Sequence, residues 1–449
     1  MAPPHRCLWS HAGLGLLLTQ VGLLGAVDRQ PVQIRPQPRS PGARALGLSG
    51  AFAALCDDAS APTWNPAGLA GIEELELYLG AGFYHTRASD TNDDVSVDQA
   101  SLVLPLRCPG PAQTVSLSWT RTYDFTARLA TSSRFSDPGS AFSLQLGVET
   151  HSEVTIDQQG SFAQLSLGYA IEPLLGLRFG ATLGAWHDEL TGASSIDWRS
   201  TATTTTALID PFSGAGLLIT EQSATIDAQA AIESAWTTGF GVTWDMNNRF
   251  TLAAVYEPEH RLELDQSFTT TDDTGTTREA VDATIDLPPR LRLGAAMRPH
   301  DRSTWIGELR WTDLERAVIR SDTATDRPLY GAAPGDPHDQ AFSAHLGYEH
   351  VLLYPEAVLA LRAGAFWEQR PGLDPVALAP TQTTPQPSRL DDWYGLSVGA
   401  GLYRRSVIVD LGVGYEWADD VGAGWLVPRN EQIDARGVVI RLGIAYLAF

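Results

Sequence analysis

The chain has 449 residues, with 53 acidic and 31 basic side chains and a formal net charge of −22. This acid excess excludes a general nucleic-acid binder, which needs a basic face to neutralise phosphates. The apolar content of 43% excludes a disordered chain, and a long apolar run occurs only near the N-terminus, which excludes a bundle of transmembrane helices. A soluble multidomain protein and an outer-membrane β-barrel remain.

Residues 1–26 are typical of a secretory signal peptide. His5 and Arg6 form a weakly basic start, and residues 13–25 are mostly Leu and Gly. A membrane anchor is the alternative, although the run is short for a span. After signal cleavage, Cys56 and Cys108 remain. Two cysteines make neither a disulfide scaffold nor a structural zinc site, and they either pair with each other in an oxidising periplasm or stay unpaired.

Residues 27–73 are predicted to form an N-terminal lead followed by a compact element. Residues 27–46 are rich in Pro and Arg and indicate an extended lead. Residues 51–55 suit a short helix, and the Asn65-Pro66 pair favours a turn. These features predict a compact non-barrel element ahead of the first strand.

From about Leu75 onward, apolar residues recur with period two. Val115, Leu117 and Trp119, for example, alternate with Ser116 and Ser118. Successive strand side chains point to opposite faces, so each segment has one apolar face. Many segments are about 10 to 12 residues long, which is enough to cross a bilayer when tilted. The candidate strands are 74–85, 97–107, 113–122, 161–171, 176–187, 231–245, 249–258, 284–297, 303–312, 341–351, 357–367, 393–403, 405–417 and 435–449.

The connections between these segments alternate between short turns and long loops. Short turns at one end and long loops at the other are typical of a bacterial transmembrane barrel. The sequence therefore predicts an all-β fold, a transmembrane antiparallel β-barrel of about 14 strands over residues 74–449. We expect residues 27–73 to form a small plug in the lumen, because a barrel of this size is otherwise an open channel. The predicted location is the bacterial outer membrane. The aromatic C-terminal residue, Phe449, supports this prediction.

Three short motifs carry a family resemblance that covers nearly the whole mature chain. They are Gly50-Ala51-Phe52, Asp57-Asp58-Ala59-Ser60 and Asn65-Pro66-Ala67-Gly68. This run resembles the N-terminal plug of the FadL-type outer-membrane transporters of hydrophobic compounds, and PorV-like barrels share the motif. The resemblance implies passive transport, with the plug residues acting as a gate. The implied gating residues are Asp57, Asp58, Asn65, Pro66, Ala67 and Gly68.

The polar row of each strand is expected to line the lumen. One interpretation is a network of opposite charges that spans the barrel and grips the plug. The other is that an inward arginine, with Arg290 or Arg292 as first choice, meets the head group of an amphipathic ligand such as a carboxylate. The predicted row comprises Glu74, Glu76, Arg178, Arg290, Arg292, Glu308, Arg310, His345, Glu349, Arg362, Asp410, Glu416 and Arg441.

The segment 188–230 carries apolar residues within a Thr-rich frame. They predict an outer groove that captures ligand, as in the resembled family, or loop residues that pack on one another or on the barrel rim. The candidate ligand-binding residues are Phe212, Leu217, Leu218 and Ile219.

Enzymatic and metal chemistry find no support in the sequence. Asp90, Asp93 and Asp94 lack the spacing of a calcium loop and indicate a solvated acidic loop. Residues 395–399 match a serine-hydrolase elbow, but they lie in an alternating strand with no following helix. We therefore predict no catalytic residue, no metal site and no cofactor.

The predicted function is an outer-membrane channel for passive uptake of hydrophobic compounds, either long-chain fatty acids or other lipophiles. The predicted partners are a hydrophobic small molecule and outer-membrane lipid, with no nucleic acid. One alternative is a barrel that serves as a scaffold, with a secretion or surface protein as its partner and no ligand path. Another is a soluble periplasmic β-protein.

Overall fold

A computed structural model describes residues 37–38, 41–87, 91–137, 147–192, 194–210, 216–321, 324–329, 340–371, 390–419 and 434–448. The predicted signal peptide, Asp90, Phe212 and Phe449 lie outside these ranges. The helical elements within them are short: α1 Ala43–Gly47, α2 Ala61–Trp64, α3 Asp188–Thr191, and 3₁₀-helices at Pro66–Gly71 and Leu314–Arg316. No helix in these ranges is long and apolar enough to cross a membrane.

Strands make up most of the described chain. Numbered in chain order, they are β1 Gln37–Pro38, β2 Leu75–Arg87, β3 Thr91–Leu106, β4 Ala112–Asp124, β5 Ala127–Asp137, β6 Gly147–Leu174, β7 Leu177–Trp186, β8 Ser194–Ile209, β9 Gly216–Asn247, β10 Phe250–Glu257, β11 His260–Asp272, β12 Gly275–Leu287, β13 Arg290–His300, β14 Ser303–Asp313, β15 Val318–Ser321, β16 Ala324–Pro328, β17 Gln340–Tyr354, β18 Ala357–Pro371, β19 Leu390–Arg404, β20 Val407–Ala418 and β21 Ala435–Ala448.

Fourteen of these strands form one closed antiparallel barrel. Around the ring they are β2, β3, β4, β6, β7, β9, β10, β13, β14 and β17 to β21. The last strand pairs with the first from Leu75↔Ala448 to Arg87↔Arg436, which leaves the closed sheet without an edge. The predicted fold class is confirmed, and each predicted segment corresponds to one barrel strand.

Six short turns lie at one end of the barrel, which we call the base. The sequence predicts them at 108–110, 172–173, 246–248, 299–301, 354–355 and 404, and in the structure they are residues 107–111, 175–176, 248–249, 301–302, 355–356 and 405–406. One predicted strand is wrong at its start, because segment 284–297 joins the end of β12 to β13. Pro288 and Pro289 separate the two strands, since proline has no N–H to donate to the ladder.

The outer face of the barrel is apolar. On β9, Trp236 and Trp244 are 67% and 48% exposed, and the eight residue steps from one to the other span about 27 Å along the strand. A closed barrel satisfies its backbone groups internally, so an apolar outer face of this height suits a lipid bilayer. This architecture confirms the predicted location in the outer membrane.

At the other end, called the rim, the sheet continues beyond the barrel. The outer halves of β6 and β9 pair with β5, β8 and β11, and β12, β15 and β16 extend this sheet further. We call these strands and half-strands the outer extension. The sequence predicts loops in most of this region. They are strands because Thr-rich and alternating stretches, such as residues 226–232 of β9, suit a pleated surface with one buried face.

The concave face of the outer extension is buried together with side chains near the rim, and we call this group the outer cluster. Its largest members are aromatic, and tilted or edge contacts join several of them. The buried members are Tyr123, Phe125, Phe162, Trp186, Ile196, Trp198, Ile226, Ala228, Ala230, Ile232, Ala235, Leu262, Leu264, Phe268, Val281, Ala283, Ile285, Leu287, Leu314, Ala317, Ile319, Leu329 and Ala341.

Candidate functional site

Residues 41–72, called the plug from here on, lie in the lumen between the base and the outer cluster. Glycines of the wall allow the plug backbone to approach closely. A Cβ built on Gly180 of β7 meets the Pro66 carbonyl carbon at 2.2 Å, and one on Gly412 of β20 meets the Ala43 carbonyl oxygen at 2.5 Å. Larger residues at these positions would displace the plug. The predicted position of the plug is therefore correct, whereas the exact domain boundaries remain a prediction.

Arg44 joins the plug to the barrel through an ion network that is buried on the side of the wall. Its guanidinium lies 2.5 Å from Asp57 and 3.4 Å from Asp58, both in the plug, and 3.4 Å from Glu349 of β17. Glu349 also accepts a 2.7 Å hydrogen bond from Arg362, whose side chain is fully buried. The two predicted gating aspartates therefore share one arginine with the barrel wall.

Glu308 of β14 holds the plug backbone directly. Its Oε2 accepts hydrogen bonds from the amides of Phe52 and Ala53 at 2.9 and 2.8 Å. Its Oε1 accepts a 2.7 Å bond from Arg310, which also donates to the Gly50 carbonyl at 2.6 Å. A fully buried carboxylate with three donors is a strong, charge-assisted anchor.

Asn65 fixes the turn that the sequence predicts. Its Nδ2 donates to the Ala53 carbonyl and to the Thr243 hydroxyl, each at 2.9 Å, and its Oδ1 accepts from the Ala67 amide at 3.1 Å. Gly68 is required for close packing, because a Cβ there would lie 1.9 Å from the Cys56 carbonyl oxygen. The Asn-Pro-Ala-Gly motif is thus a buried turn tied to the wall, and its gating role stays a prediction.

Arg292 and Arg290 both point into the lumen, as predicted, and both have protein partners. Arg292 donates to the carbonyls of Thr63 and Trp64 at 3.1 and 3.0 Å and to Glu257. Arg290 donates to the Tyr123 hydroxyl and stacks on that ring at 5.5 Å. Arg292 thereby grips the plug, whereas Arg290 lies where the charged layer meets the outer cluster. Ligand binding by either arginine stays a prediction.

The charged lumen row is largely present as predicted, and its members bind one another, the plug or other polar residues of the wall such as Asp245 and Tyr84. Arg362 also binds Asp410 at 2.5 Å, and Arg370 binds Glu416 at 3.0 Å. The network interpretation therefore accounts for these contacts. Glu74 is the exception, because it precedes β2 and is only half-buried.

Of the four predicted outer-groove residues, the structure describes the side chain of Ile219 alone, and their role in capturing ligand stays a prediction. Ile219 lies on β9 and is 69% exposed. Leu217 and Leu218 belong to the same strand, and Phe212 lies outside the described residues. The buried apolar residues of this region are instead those of the outer cluster. Period-two alternation in residues 226–232 and 262–268 was the signal that could have revealed them.

The wall has a break in pairing between β3 and β4. Their ladder runs from Leu106↔Gln113 to Gln99↔Thr120, although β3 continues to Thr91 and β4 to Asp124. In the unpaired part, Arg121 of β4 lies 3.8 Å from Asp94 of β3. Pro105 has no N–H to donate but is still paired within the ladder, opposite Thr114. The break starts beyond Gln99, toward the rim.

The plug reaches the last rung of this ladder. The hydroxyl of Thr63 lies 3.4 Å from that of Thr120. The two-residue strand β1 pairs with β4 at Asp124 and Tyr123, beyond the point where the β3 ladder ends. The N-terminal lead and the plug therefore both meet the wall where the β3–β4 ladder ends.

Neither cysteine is paired, with Cys56 buried in the plug and Cys108 exposed at the base. Burial raises the pKa of the Cys56 thiol well above its usual value. Among the described residues, no three His, Cys, Asp or Glu side chains are grouped so that they could hold a metal ion.

No protein-family model and no curated protein sequence matches the chain. Solved structures do. A FadL homologue from Pseudomonas aeruginosa aligns with a TM-score of 0.57 at 14% identity, covering 92% of this chain and 99% of its own. The chain has a FadL-type fold.

Two further structures with the FadL-type fold align at similar scores. The CymD monoaromatic hydrocarbon channel has a TM-score of 0.53 at 14% identity, covering 91% of this chain and 98% of its own. The toluene transporter TodX from Pseudomonas putida has a TM-score of 0.52 at 12% identity, covering 93% and 99%. Identities this low establish a shared fold and leave the ligand of this FadL-type barrel to be argued from its own residues.

Proposed function

We propose that this FadL-type barrel is an outer-membrane channel for passive uptake of hydrophobic compounds. The observation that carries the proposal is the order of layers along the lumen. A buried apolar and aromatic cluster lies at the rim, and an ion-paired plug lies beneath it. A hydrophobic molecule gains free energy on entering such a cluster, at about 25 cal/mol per Å² of apolar surface removed from water. The charged plug layer beneath it would exclude the same molecule until the plug shifts.

We propose that the ligand leaves sideways through the wall. The break between β3 and β4 supports this route, because the ladder hydrogen bonds that seal other strand pairs end at Gln99 and Thr120. Thr63 of the plug contacts the last rung, so a shift of α2 would open the lumen toward the break. Such a route would deliver a hydrophobic ligand into the bilayer and spare it passage through the charged base.

Uptake by intact cells tests the proposed function. Cells of a Gram-negative strain without its own channel of this type would express the chain and receive radiolabelled toluene, palmitate or glucose. We expect toluene or palmitate to enter faster than in cells with the empty vector, and glucose to show no change. A barrel that assembles, co-purifies with another protein and adds no uptake of either hydrophobic probe would favour the scaffold alternative.

A cross-link tests the lateral exit. Val97→Cys with Thr122→Cys, in a Cys108→Ser background, would be joined by a bis-maleimide across the break between β3 and β4. Closing the break should lower uptake of the hydrophobic probe. The matched control is Leu104→Cys with Val115→Cys, because these residues are already paired in the ladder. Equal uptake by both cross-linked barrels would contradict the lateral route.

A further inference from the structure

Three polar side chains of the outer extension are buried without a hydrogen-bond partner in the described part of the protein. They are Trp198 and Ser200 of β8 and Gln266 of β11, which are 3%, 1% and 3% exposed. The orphan atoms are the Trp198 indole nitrogen, the Ser200 hydroxyl and both amide atoms of Gln266. A buried polar atom left unpaired costs about 1 to 3 kcal/mol, so four of them in one region need an explanation.

The strand register brings these side chains to one side of the sheet. Trp198 and Phe268 both lie opposite Ala228 of the intervening strand β9, and Gln266 lies opposite Ala230 in the next row. Strands two apart are separated by about 10 Å. The rings of Trp198 and Phe268 meet across Ala228 with their centroids 6.1 Å apart. We call the surface over these two alanines the groove: Trp198 and Phe268 flank Ala228, and Ile196 and the Gln266 amide flank Ala230.

The charged residues of these strands point the other way. They are exposed or half-exposed on the convex face, where Arg199 pairs with Asp227 at 2.5 Å. The other exposed charged residues on the three strands between residues 194 and 268 are Asp197, Glu221, Glu233, Arg261, Glu263 and Asp265. A carboxylate in the groove would therefore meet no counter-ion from these strands, and its burial would cost several kcal/mol. The groove selects against charge.

We propose that this groove is a subsite for the polar end of a neutral lipophile that carries a hydroxyl group, such as a phenol or an alcohol. The hydroxyl donates to Gln266 Oε1 and accepts from Gln266 Nε2 or from the Trp198 indole, while the hydrocarbon packs on Phe268. This deepens the proposed uptake function and rests on it, because it names the ligand chemistry that the outer cluster prefers. The Gln266 subsite is distinct from the arginine layer, whose partners are the plug and the wall.

Binding of three matched probes to the whole barrel in amphipol tests the subsite. The probes are 4-ethylphenol, 4-ethyltoluene and 4-ethylbenzoate, which share a ring and differ in one group. We expect the wild-type barrel to bind the phenol about tenfold more tightly than the toluene, which is the effect of one buried hydrogen bond. The benzoate should bind more weakly than the phenol.

Gln266→Leu should remove the preference for the phenol and leave binding of 4-ethyltoluene unchanged. The matched control is Gln229→Leu, because Gln229 is exposed on the convex face of β9. Trp198→Phe gives a second test, because it keeps an aromatic ring beside Phe268 and removes the indole N–H together with the pyrrole part of the side chain. It should lower the preference as well.

The possible results separate the subsite from the uptake function. Equal wild-type binding of the phenol and the toluene would mean that the orphan atoms hold water only, and would overturn the subsite while leaving uptake intact. Tightest binding of the benzoate would also overturn it. A preference that survives both Gln266→Leu and Trp198→Phe would place the recognising group elsewhere. Binding of none of the probes would contradict the subsite, and uptake of toluene by cells would show whether the channel proposal stands without it.

Discussion

Replacing Glu308 by glutamine should loosen the plug while the barrel stays closed. The buried carboxylate accepts from the amides of Phe52 and Ala53 and from Arg310. A hydrogen bond to a charged group stabilises by about 1.5 to 3 kcal/mol, against about 0.5 to 1.5 for a neutral one. Glu308→Gln keeps an acceptor but loses the charge over three bonds. The plug should therefore lose about 2 to 4 kcal/mol of its stability in the closed position.

Hydrogen exchange measured by mass spectrometry gives the test. Exchange of the Phe52 and Ala53 amides requires the plug to open, so their protection should fall by about 30- to 1,000-fold, since about 1.4 kcal/mol is a factor of ten. Strands β18 to β21 should keep their protection. The matched control is Glu263→Gln, because Glu263 is exposed on β11. If Glu308→Gln changes exchange of the plug peptide no more than Glu263→Gln does, the carboxylate is not the anchor.

Three further predictions concern the plug turn, the outer extension and the cysteines. Gly180→Ala should raise leakage of small polar solutes, because the added Cβ displaces Pro66 of the plug. Gly307→Ala is the control, because a Cβ there meets open space and should leave leakage unchanged. Equal leakage through the two variants would contradict a plug that is packed against the wall. Burial alone raises the pKa of Asp286, but hydrogen bonds from Arg261 and Arg320 outweigh it, so the pKa lies below its usual value. The stabilisation is therefore present above the unfolded pKa of about 3.9 and is lost as the pH falls through the folded value. Intrinsic fluorescence of the outer extension should show this loss. Asp286→Asn should remove the pH dependence. Maleimide should label exposed Cys108 at once and buried Cys56 only after unfolding, and rapid labelling of both would show an open plug.

The barrel could be predicted from the sequence because each spanning strand repeats one physical rule. A lipid-facing row must be apolar at every second residue. The alternation in segments such as residues 407–417 therefore predicts both a strand and which of its faces contacts lipid. The plug turn was predicted from Asn65 and Pro66 for a similar reason, since both residues have strong local preferences. The outer extension was missed because its strands do not face lipid on either side. Their Thr-rich alternation is also compatible with a loop, and only pairing between distant segments such as β6 and β8 makes them strands.

The partners of the lumen arginines could not be predicted from the sequence, for a different reason. Alternation places Arg292 and Arg310 on the inner face, but only the fold brings the carbonyls of Thr63 and Gly50 to them. Sequence separation between these partners exceeds 200 residues, so no local pattern records the contact. An inward arginine without a protein partner suggests binding of a ligand carboxylate, whereas an arginine already bonded to plug carbonyls suggests that it holds the plug against the wall.

The outer extension shows where part of the net charge of −22 lies. Exposed acidic residues such as Asp197, Glu263 and Asp265 lie on the convex face of strands whose concave face is apolar. Their repulsion keeps the extension from associating with an anionic surface, and it leaves the inner face unaffected because the sheet separates the two. The same alternation that puts acids outside therefore puts Trp198, Gln266 and Phe268 inside. The acidic exterior and the uncharged groove proposed as a hydroxyl subsite therefore follow from one strand pattern, since alternate residues of β8 and β11 face opposite sides of the sheet.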